Sequence, residues 1–477
     1  MQYFEWYMPN DGTLWRQLAQ DAAHLAELGV SAVWVPPAYK GMTQDSVGYS
    51  PYDLYDFGEF DQKGTVRTKY GTRAEFEAAI AALHAQGICV YLDTVLNHKA
   101  GADEMERFYV VRVDEEDRTQ VISDCYEMEG WTSFTFPGRG ERYSPFKWHW
   151  YHFSGLDYDA GRHEGGIFKI QGLGKEWCYA VDCEKGNYDY LMFANIDYRH
   201  PDVVREMLHW GSWVVEEFRL DGFRLDAVKH ITRPFIRHFL DHVREHATRP
   251  LYAVGEFWKY RQEDITPFLQ EMDGRLDLFD VPLHFRFHEA SCQGAAYDLG
   301  GLLQGSLVQQ CPTLSVTFVD NHDSQVGQAL ESPVQDWFKP AAYALILLQK
   351  EGYPCIFYGD YYGIGGEPPL HRCIIDTLLH LRRHYAYGEQ QSYFDHRNTV
   401  GLTRCGDAAH PDSGLALLIS NSEAGDKWMH VGTHHSGELW TEATGCCPDG
   451  SVQINAEGNG HFTVPSGKVA VWVRARG

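Results

Sequence analysis

The chain is expected to fold as a (β/α)8 barrel that carries a long insertion after its third strand and a C-terminal antiparallel β-sandwich. Three patterns predict this. Short apolar, β-branched runs alternate with amphipathic stretches through most of the chain, the pattern of parallel strands covered on both faces by helices. That alternation breaks once, after Asn97-His98, for about a hundred residues. From about residue 389 the pattern changes again, to closely spaced alternating strands divided by Gly, Asp and Ser turns.

The strand runs fall at residues 2–7, 31–36, 88–95, 218–225, 251–255, 276–282, 314–319 and 354–358. SAVWV, ICVYLDTV and LSVTFV are nearly continuous in apolar character, as buried parallel strands require. Amphipathic segments at 14–28, 73–86, 201–217, 232–246 and 340–350 read as the covering helices, with Pro201 suited to a first helical position. Eight strands with helices between them fit a closed barrel better than an open sheet. The stretch after His98 is rich in Gly, Asp, Tyr and Trp and lacks helical period, so it reads as a small inserted domain. The expected division is 1–98 with 201–388 as barrel, 99–200 as insertion and 389–477 as sandwich, tightly docked because no Pro-rich or low-complexity linker separates them.

Composition narrows the function. The 477 residues hold 66 acidic against 41 basic side chains, a net charge of −25, which disfavours duplex nucleic acid and anionic membrane surfaces as partners. No apolar run reaches the ~18 residues of a membrane helix. The start, MQYFEWYMPNDG, has no leader pattern. The 11 cysteines include no CxxC pair, and several lie in strand-like runs such as GICVYLD, where a thiol packs as a small hydrophobe. Reduced thiols and a cytoplasmic location are expected, with a secreted protein whose leader has been removed as the alternative. Aromatic residues reach 14%, which suits both a large core and stacking against sugar rings.

Chemistry in such a barrel belongs at the C-terminal ends of the strands. There the sequence places DTVLNH, FRLDAVKH, GEFW and VDNHD. Three strands thus deliver Asp226, Glu256 and Asp323 to one rim. Strand alternation puts Arg224 and Asp226 on the same face, where a guanidinium can hold a carboxylate ionised and oriented. A second carboxyl crowded by negative charge has its pKa raised and can donate a proton. Together these make the paired-carboxylate apparatus of a retaining glycosidase. Taken singly, each has a plainer reading: a strand-end Asp often caps the next helix, and His98 or His322 alone is more often a packed core histidine.

The segments DTVLNH, GFRLDAVKH, GEFW and FVDNHD closely resemble the four signature segments of the α-amylase family of glycoside hydrolases. GYSPYDLYDFGEFDQKGTVRTKYGT, GNYDYLMFANIDYRHPDVV and SAVWVPPAYKG agree, and the start resembles the bacterial liquefying-type enzymes and their intracellular relatives. The resemblance covers nearly the whole chain in the family's order. It implies Asp226 as nucleophile, Glu256 as general acid/base and Asp323 as the carboxylate that binds sugar hydroxyls and favours the distorted transition state. It implies substrate contacts from Arg224, His98, His322, Tyr49 as a stacking platform, Lys229, His230, Trp258, Trp6 and Gln325. The implied partner is an α-glucan polymer or oligomer, cleaved internally at α-1,4 bonds, and a monomer is assumed. A maltooligosaccharide-forming amylase or a transglycosylase uses the same residues; a non-catalytic glucan-binding barrel is the rival of another class.

The family resemblance also implies a structural Ca²⁺ held by oxygen ligands. The matching positions are Asn97, Asp189, Asn195 and the carbonyl of His230, with Asn195 standing where the liquefying enzymes carry Asp. Ser154 and Cys178 replace ligands of their composite calcium–sodium cluster, and Arg397 and Asn398 replace those of an inter-domain calcium. One Ca²⁺ at most is expected.

Overall fold

The protein, described here by a computed structural model over residues 1–475, is built on a seven-stranded parallel sheet. Its strands run in the order Ala32–Val35, Cys89–Thr94, Gly222–Leu225, Tyr252–Gly255, Asp277–Phe279, Ser315–Phe318 and Tyr353–Cys355. The ring closes through the N-terminal segment. Gln2 bridges in parallel to both Trp34 and Phe357, with Gln2 N–H donating to Ile356 O and Tyr3 N–H to Trp34 O, each at 2.9 Å. The expected strand at 2–7 is therefore reduced to the two bridges of Gln2, because the chain turns off the barrel to place Trp6 on the rim.

The five expected helices form as Leu14–Glu27, Arg73–Ala85, Pro201–Phe218, Arg233–His246 and Lys339–Leu348. Each lays an apolar face on the barrel, as Trp15, Leu18 and Leu25 do from the first. Boundaries differ from the sequence reading at several strands; the run at 354–358 is strand only to Cys355, with Tyr358 opening the helix Tyr358–Tyr362, and two others differ as well. Phe218 ends a helix, and Arg219 follows in the left-handed conformation (φ 55°), so the strand starts only at Gly222. The run at 276–282 splits: Asp280 caps a new helix, Val281–Gln293, by accepting from Leu283 N–H, with Pro282 in its first turn.

The stretch after His98 forms a six-stranded antiparallel sheet that includes Glu104–Val113, Tyr126–Ser133, Phe153–Asp159 and Glu164–Ile170. Its edge strand, His98–Lys99, follows the barrel strand Cys89–Thr94 directly, which ties the insertion to the rim. At the C-terminus six antiparallel strands face a two-stranded sheet, Gly425–His430 with Asn459–Val464. Leu418, Met429, Trp440, Phe462 and Trp472 fill the space between them. The outer face of the larger sheet buries Val400, Leu402, Leu417 and Val471 against the helix Lys339–Leu348, so barrel and sandwich share one apolar cluster.

One buried ion cluster braces the strand end that carries Asp323. Lys339 Nζ lies 2.9 Å from Asp320 and also contacts Asp360, all three nearly excluded from water. Lys339→Met strands two buried carboxylates and is expected to lower stability by ~3–5 kcal/mol. Urea unfolding at pH 7 checks this; a loss under about 1 kcal/mol would contradict it.

Candidate active site

Arg224 is the centre of the rim. Its place on Gly222–Leu225 points the side chain into the barrel mouth, where it is fully buried. Nη1 lies 3.0 and 3.2 Å from the Asp93 oxygens and 2.6 Å from Asp226 Oδ1, and Nη2 lies 2.8 Å from Glu256 Oε2. One guanidinium thus gathers carboxylates from three neighbouring strand ends. Glu256 Oε2 also accepts from Ala227 N–H at 3.1 Å. The sequence presents Asp93 only as part of the DTVLNH strand end. It is a principal partner of Arg224, and it also accepts from Trp34 Nε1 (3.0 Å) and Tyr49 O–H (2.7 Å). The signal lay in the spacing from Asp93 to His98 in DTVLNH, where an acid precedes the polar strand end.

Burial pushes the Asp226 and Glu256 carboxyls above their usual range. Arg224 opposes both shifts, while the Asp93 charge adds to the first and the Asp226 charge to the second. Asp323 is pushed well up, first by burial and then by the Glu256 charge, which places it in the same electrostatic cluster. The side chains of Asp226, Glu256 and Asp323 keep 11%, 9% and 22% of their surface, enough for a substrate to reach.

The histidines are neutral and their protons can be assigned. Burial lowers His322 well below its ordinary range. Gln2 Nε2 lies 3.0 Å from His322 Nδ1, and an amide nitrogen only donates, so the ring proton sits on Nε2. That N–H is 3.2 Å from Asp323 Oδ2 but out of line for a hydrogen bond, leaving it unpartnered within the protein. His98, lowered by burial to about 4, donates Nε2–H to Tyr49 O at 2.9 Å. Trp6, Tyr49 and His322 form an aromatic shelf: Tyr49 lies parallel to Trp6 (5.8 Å, 2°) and to His322 (5.0 Å, 8°). Gln325 Oε1 accepts Trp6 N–H at 3.1 Å, so the two residues are coupled as well as adjacent.

The remaining expected site residues are more enclosed. Lys229 Nζ reaches Glu184 and the carbonyl of Trp258, both at 3.3 Å. The Trp258 ring, 9% exposed, packs against His284 and Phe285. His230 is buried, with Nδ1–H donated to Tyr188 O at 2.7 Å.

Asn97, Asp189, Asn195 and His230 O converge where the insertion meets the barrel. As placed, Asn97 Nδ2 lies 3.2 Å from Asp189 O and 3.3 Å from His230 O, while Oδ1 faces His98 Nδ1 at 3.2 Å. His98 spends its only proton on Tyr49, so Nδ1 is an acceptor and requires the amide to present NH2. That orientation turns Asn97 Oδ1 toward two carbonyl oxygens. Asn195 Oδ1 is buried without a donor, and Asp189 adds a carboxylate. Asp189 Oδ2 accepts from Cys178 N–H at 3.1 Å and Ser154 O–H at 3.2 Å, which hold the carboxylate in place, and the convergence of side-chain and carbonyl oxygens beside it fits a hard cation.

Residues 11–392 match the family described as alpha amylase, catalytic domain. The chain is 51% identical to a glucan 1,4-alpha-maltohexaosidase of a Bacillus species, covering 99% of this chain and 92% of that one. It is 44% identical to the cytoplasmic alpha-amylase of Escherichia coli, covering 99% and 98%. In fold it resembles the alpha-amylase of Geobacillus thermoleovorans crystallised with acarbose, at TM-score 0.63 and 16% identity, over 97% of this chain and 92% of that one.

Proposed function

This chain belongs to the α-amylase family of glycoside hydrolases, and from that premise we propose that it hydrolyses internal α-1,4-glucosidic bonds of soluble α-glucans with retention of configuration. The observation that carries the proposal is the single guanidinium of Arg224 spanning Asp226 and Glu256. Asp226, at the shorter contact, is the ionised nucleophile that attacks the anomeric carbon. Glu256 protonates the departing glycosidic oxygen, then takes a proton from the water that releases the glycosyl-enzyme. Asp323 and the free Nε2–H of His322 grip hydroxyls of the sugar being cleaved, His98 fixes the Tyr49 loop, and Tyr49 supplies the stacking face beside Trp6. Lys229, Trp258 and His230 shape the leaving-group side, and Gln325 holds Trp6.

Endo attack predicts an early fall in viscosity of an amylose solution, before much reducing sugar appears. Viscosity that falls only in proportion to reducing ends would overturn it. A second reading, preferential release of one short oligosaccharide, is favoured by the likeness to a maltohexaosidase. Product sizing on the same digest distinguishes the two. We further assign 1–98 with 201–388 to the catalytic barrel, 99–200 to the insertion and 389–477 to the sandwich. A cytoplasmic location is supported by the likeness to a cytoplasmic relative and by eleven unpaired thiols. No helix among the described residues is long and apolar enough to cross a membrane.

Calcium binding is common in this family, and the oxygen cluster fits it. Asn97, Asp189, Asn195 and the carbonyl of His230 would hold one Ca²⁺ that pins the insertion to the barrel. At the positions of the other family sites the chain presents donors or a thiol. Asn398 Nδ2 donates to Ala295 O and Asn421 Oδ1, Arg397 donates to Ala296 O, and burial keeps Cys178 protonated. Elemental analysis is expected to find no more than one tightly held calcium per chain. Burial, with the Asp197 charge, pushes Asp189 up to about 7 in the metal-free protein, against hydrogen bonds that favour its ionised form. A proton then competes with the cation below that pH. Calcium affinity, titrated against a buffered chelator, should fall about tenfold per unit below pH 7 and level off above it. A flat affinity from pH 5.5 to 7.5 would remove Asp189 from the site.

A further inference from the structure

A cavity of about 570 Å³ opens at the N-terminal ends of the barrel strands, on the side opposite the catalytic carboxylates. It is walled by the turn before Ala32–Val35, the turn before Cys89–Thr94, the helix Arg372–Tyr385 and the sandwich strand Thr399–Arg404. Its lining includes Arg382, Arg383, Arg404 and Lys350 and no acidic residue, in a chain whose net charge is −25.

Each arginine already caps backbone carbonyls. Arg382 donates to Leu347 O, Arg383 to Glu27 O, and Arg404 to Leu348 O and Gly388 O. These bonds neutralise helix C-termini but leave most of the guanidinium N–H groups of Arg382 and Arg383 unspent. Among the described residues none of the three guanidiniums has a carboxylate within 4.0 Å. Glu389 is engaged at 3.0 Å by Lys350 and points to solvent, and with Glu351 it acts on Arg404 only at longer range. A second observation is independent of charge. Gln349, 3% exposed, lines the same cavity, and its Nε2 has no acceptor. Arg404 is buried, Arg382 half-buried and Arg383 exposed; with no carboxylate against any of the three guanidiniums, this lining lacks one thing, an anion with several acceptor oxygens.

We propose that this cavity binds a phosphate dianion, carried by a small phosphomonoester or free in solution. The volume lies within the range of small-molecule sites and leaves room for a monosaccharide-sized body beside Leu28, Val30 and Leu379. Because the cations come from both the barrel and the sandwich, the bound anion fastens the two together and raises the thermal transition.

The test is calorimetry and thermal unfolding at fixed ionic strength, with glucose 6-phosphate, inorganic phosphate and glucose as probes. One saturable site per chain is expected for a phosphate-bearing probe, with no matching transition shift from glucose. Tighter binding of the ester assigns the site to phosphomonoesters, and equal binding assigns it to free phosphate; both support it. Arg382→Gln should weaken binding at least about tenfold. Arg383→Gln, at an exposed position, keeps the test valid if the first variant does not fold, and neither touches the residues proposed for starch hydrolysis. No saturable binding of either phosphate probe by about 10 mM, or binding unchanged in Arg383→Gln, would overturn the proposal.

Discussion

Replacing Glu256 by Gln should lower kcat on soluble starch by ~10²–10⁴-fold while changing maltoheptaose binding by less than about tenfold. The amide keeps an oxygen for Ala227 N–H and the Arg224 Nη2 contact, so the rim stays assembled. What it loses is the ability to donate a proton, from a carboxyl whose pKa burial and the Asp226 charge raise. A glycosyl fluoride, whose leaving group needs no proton, separates this role from a structural one. The first step on that substrate should be nearly restored, because Asp226 is untouched. A variant within tenfold of the parent on starch, or one equally impaired on both substrates, would take Glu256 out of acid/base catalysis.

The sequence carried much of this site because its parts sit at strand ends, where alternation and position constrain geometry strongly. Arg224 and Asp226 are two residues apart on one strand, so their contact is local and legible. Asp93 to Arg224 spans 131 residues, and only barrel closure makes them neighbours. The aromatic shelf depends on Trp6 leaving the barrel just after the Gln2 bridge, which no periodicity signals. The helix at Val281–Gln293 was hidden because its first residues continue an apolar strand, and the decisive cue, the Asp280 cap, is a single side chain. The inserted sheet lacked legible strands because long-range pairing decides its edges. Its bulges, as between Leu156 and Tyr158, break the simple alternation that sequence reading relies on.

Arg224→Gln is the change with the widest expected consequences. Asp93, Asp226, Glu256 and Asp323 share a small buried volume, and the guanidinium opposes the rise in carboxyl pKa at every one of them. With a neutral amide there, the carboxyls must take up protons or repel one another. Their folded-state pKa values rise further above the unfolded ones, so the folded state binds more protons than the unfolded state over that window. The variant should therefore be nearly as stable as the parent near pH 4 and lose ground as pH rises. The deficit at pH 7 should reach ~3–5 kcal/mol, read by urea unfolding across pH. Activity should move the same way. The nucleophile must be ionised, so the acid limb of kcat shifts to higher pH by at least about one unit, and the plateau falls by ~10²-fold or more. Arg224→Lys separates charge from shape. An ammonium restores the cation, and with it much of the stability, but it is a compact point charge. It cannot hold Asp93 and Asp226 through one nitrogen while holding Glu256 through another, so activity should stay low. An acid limb unmoved in Arg224→Gln, or full activity in Arg224→Lys, would mean that this guanidinium does not set the ionisation and spacing of the catalytic pair.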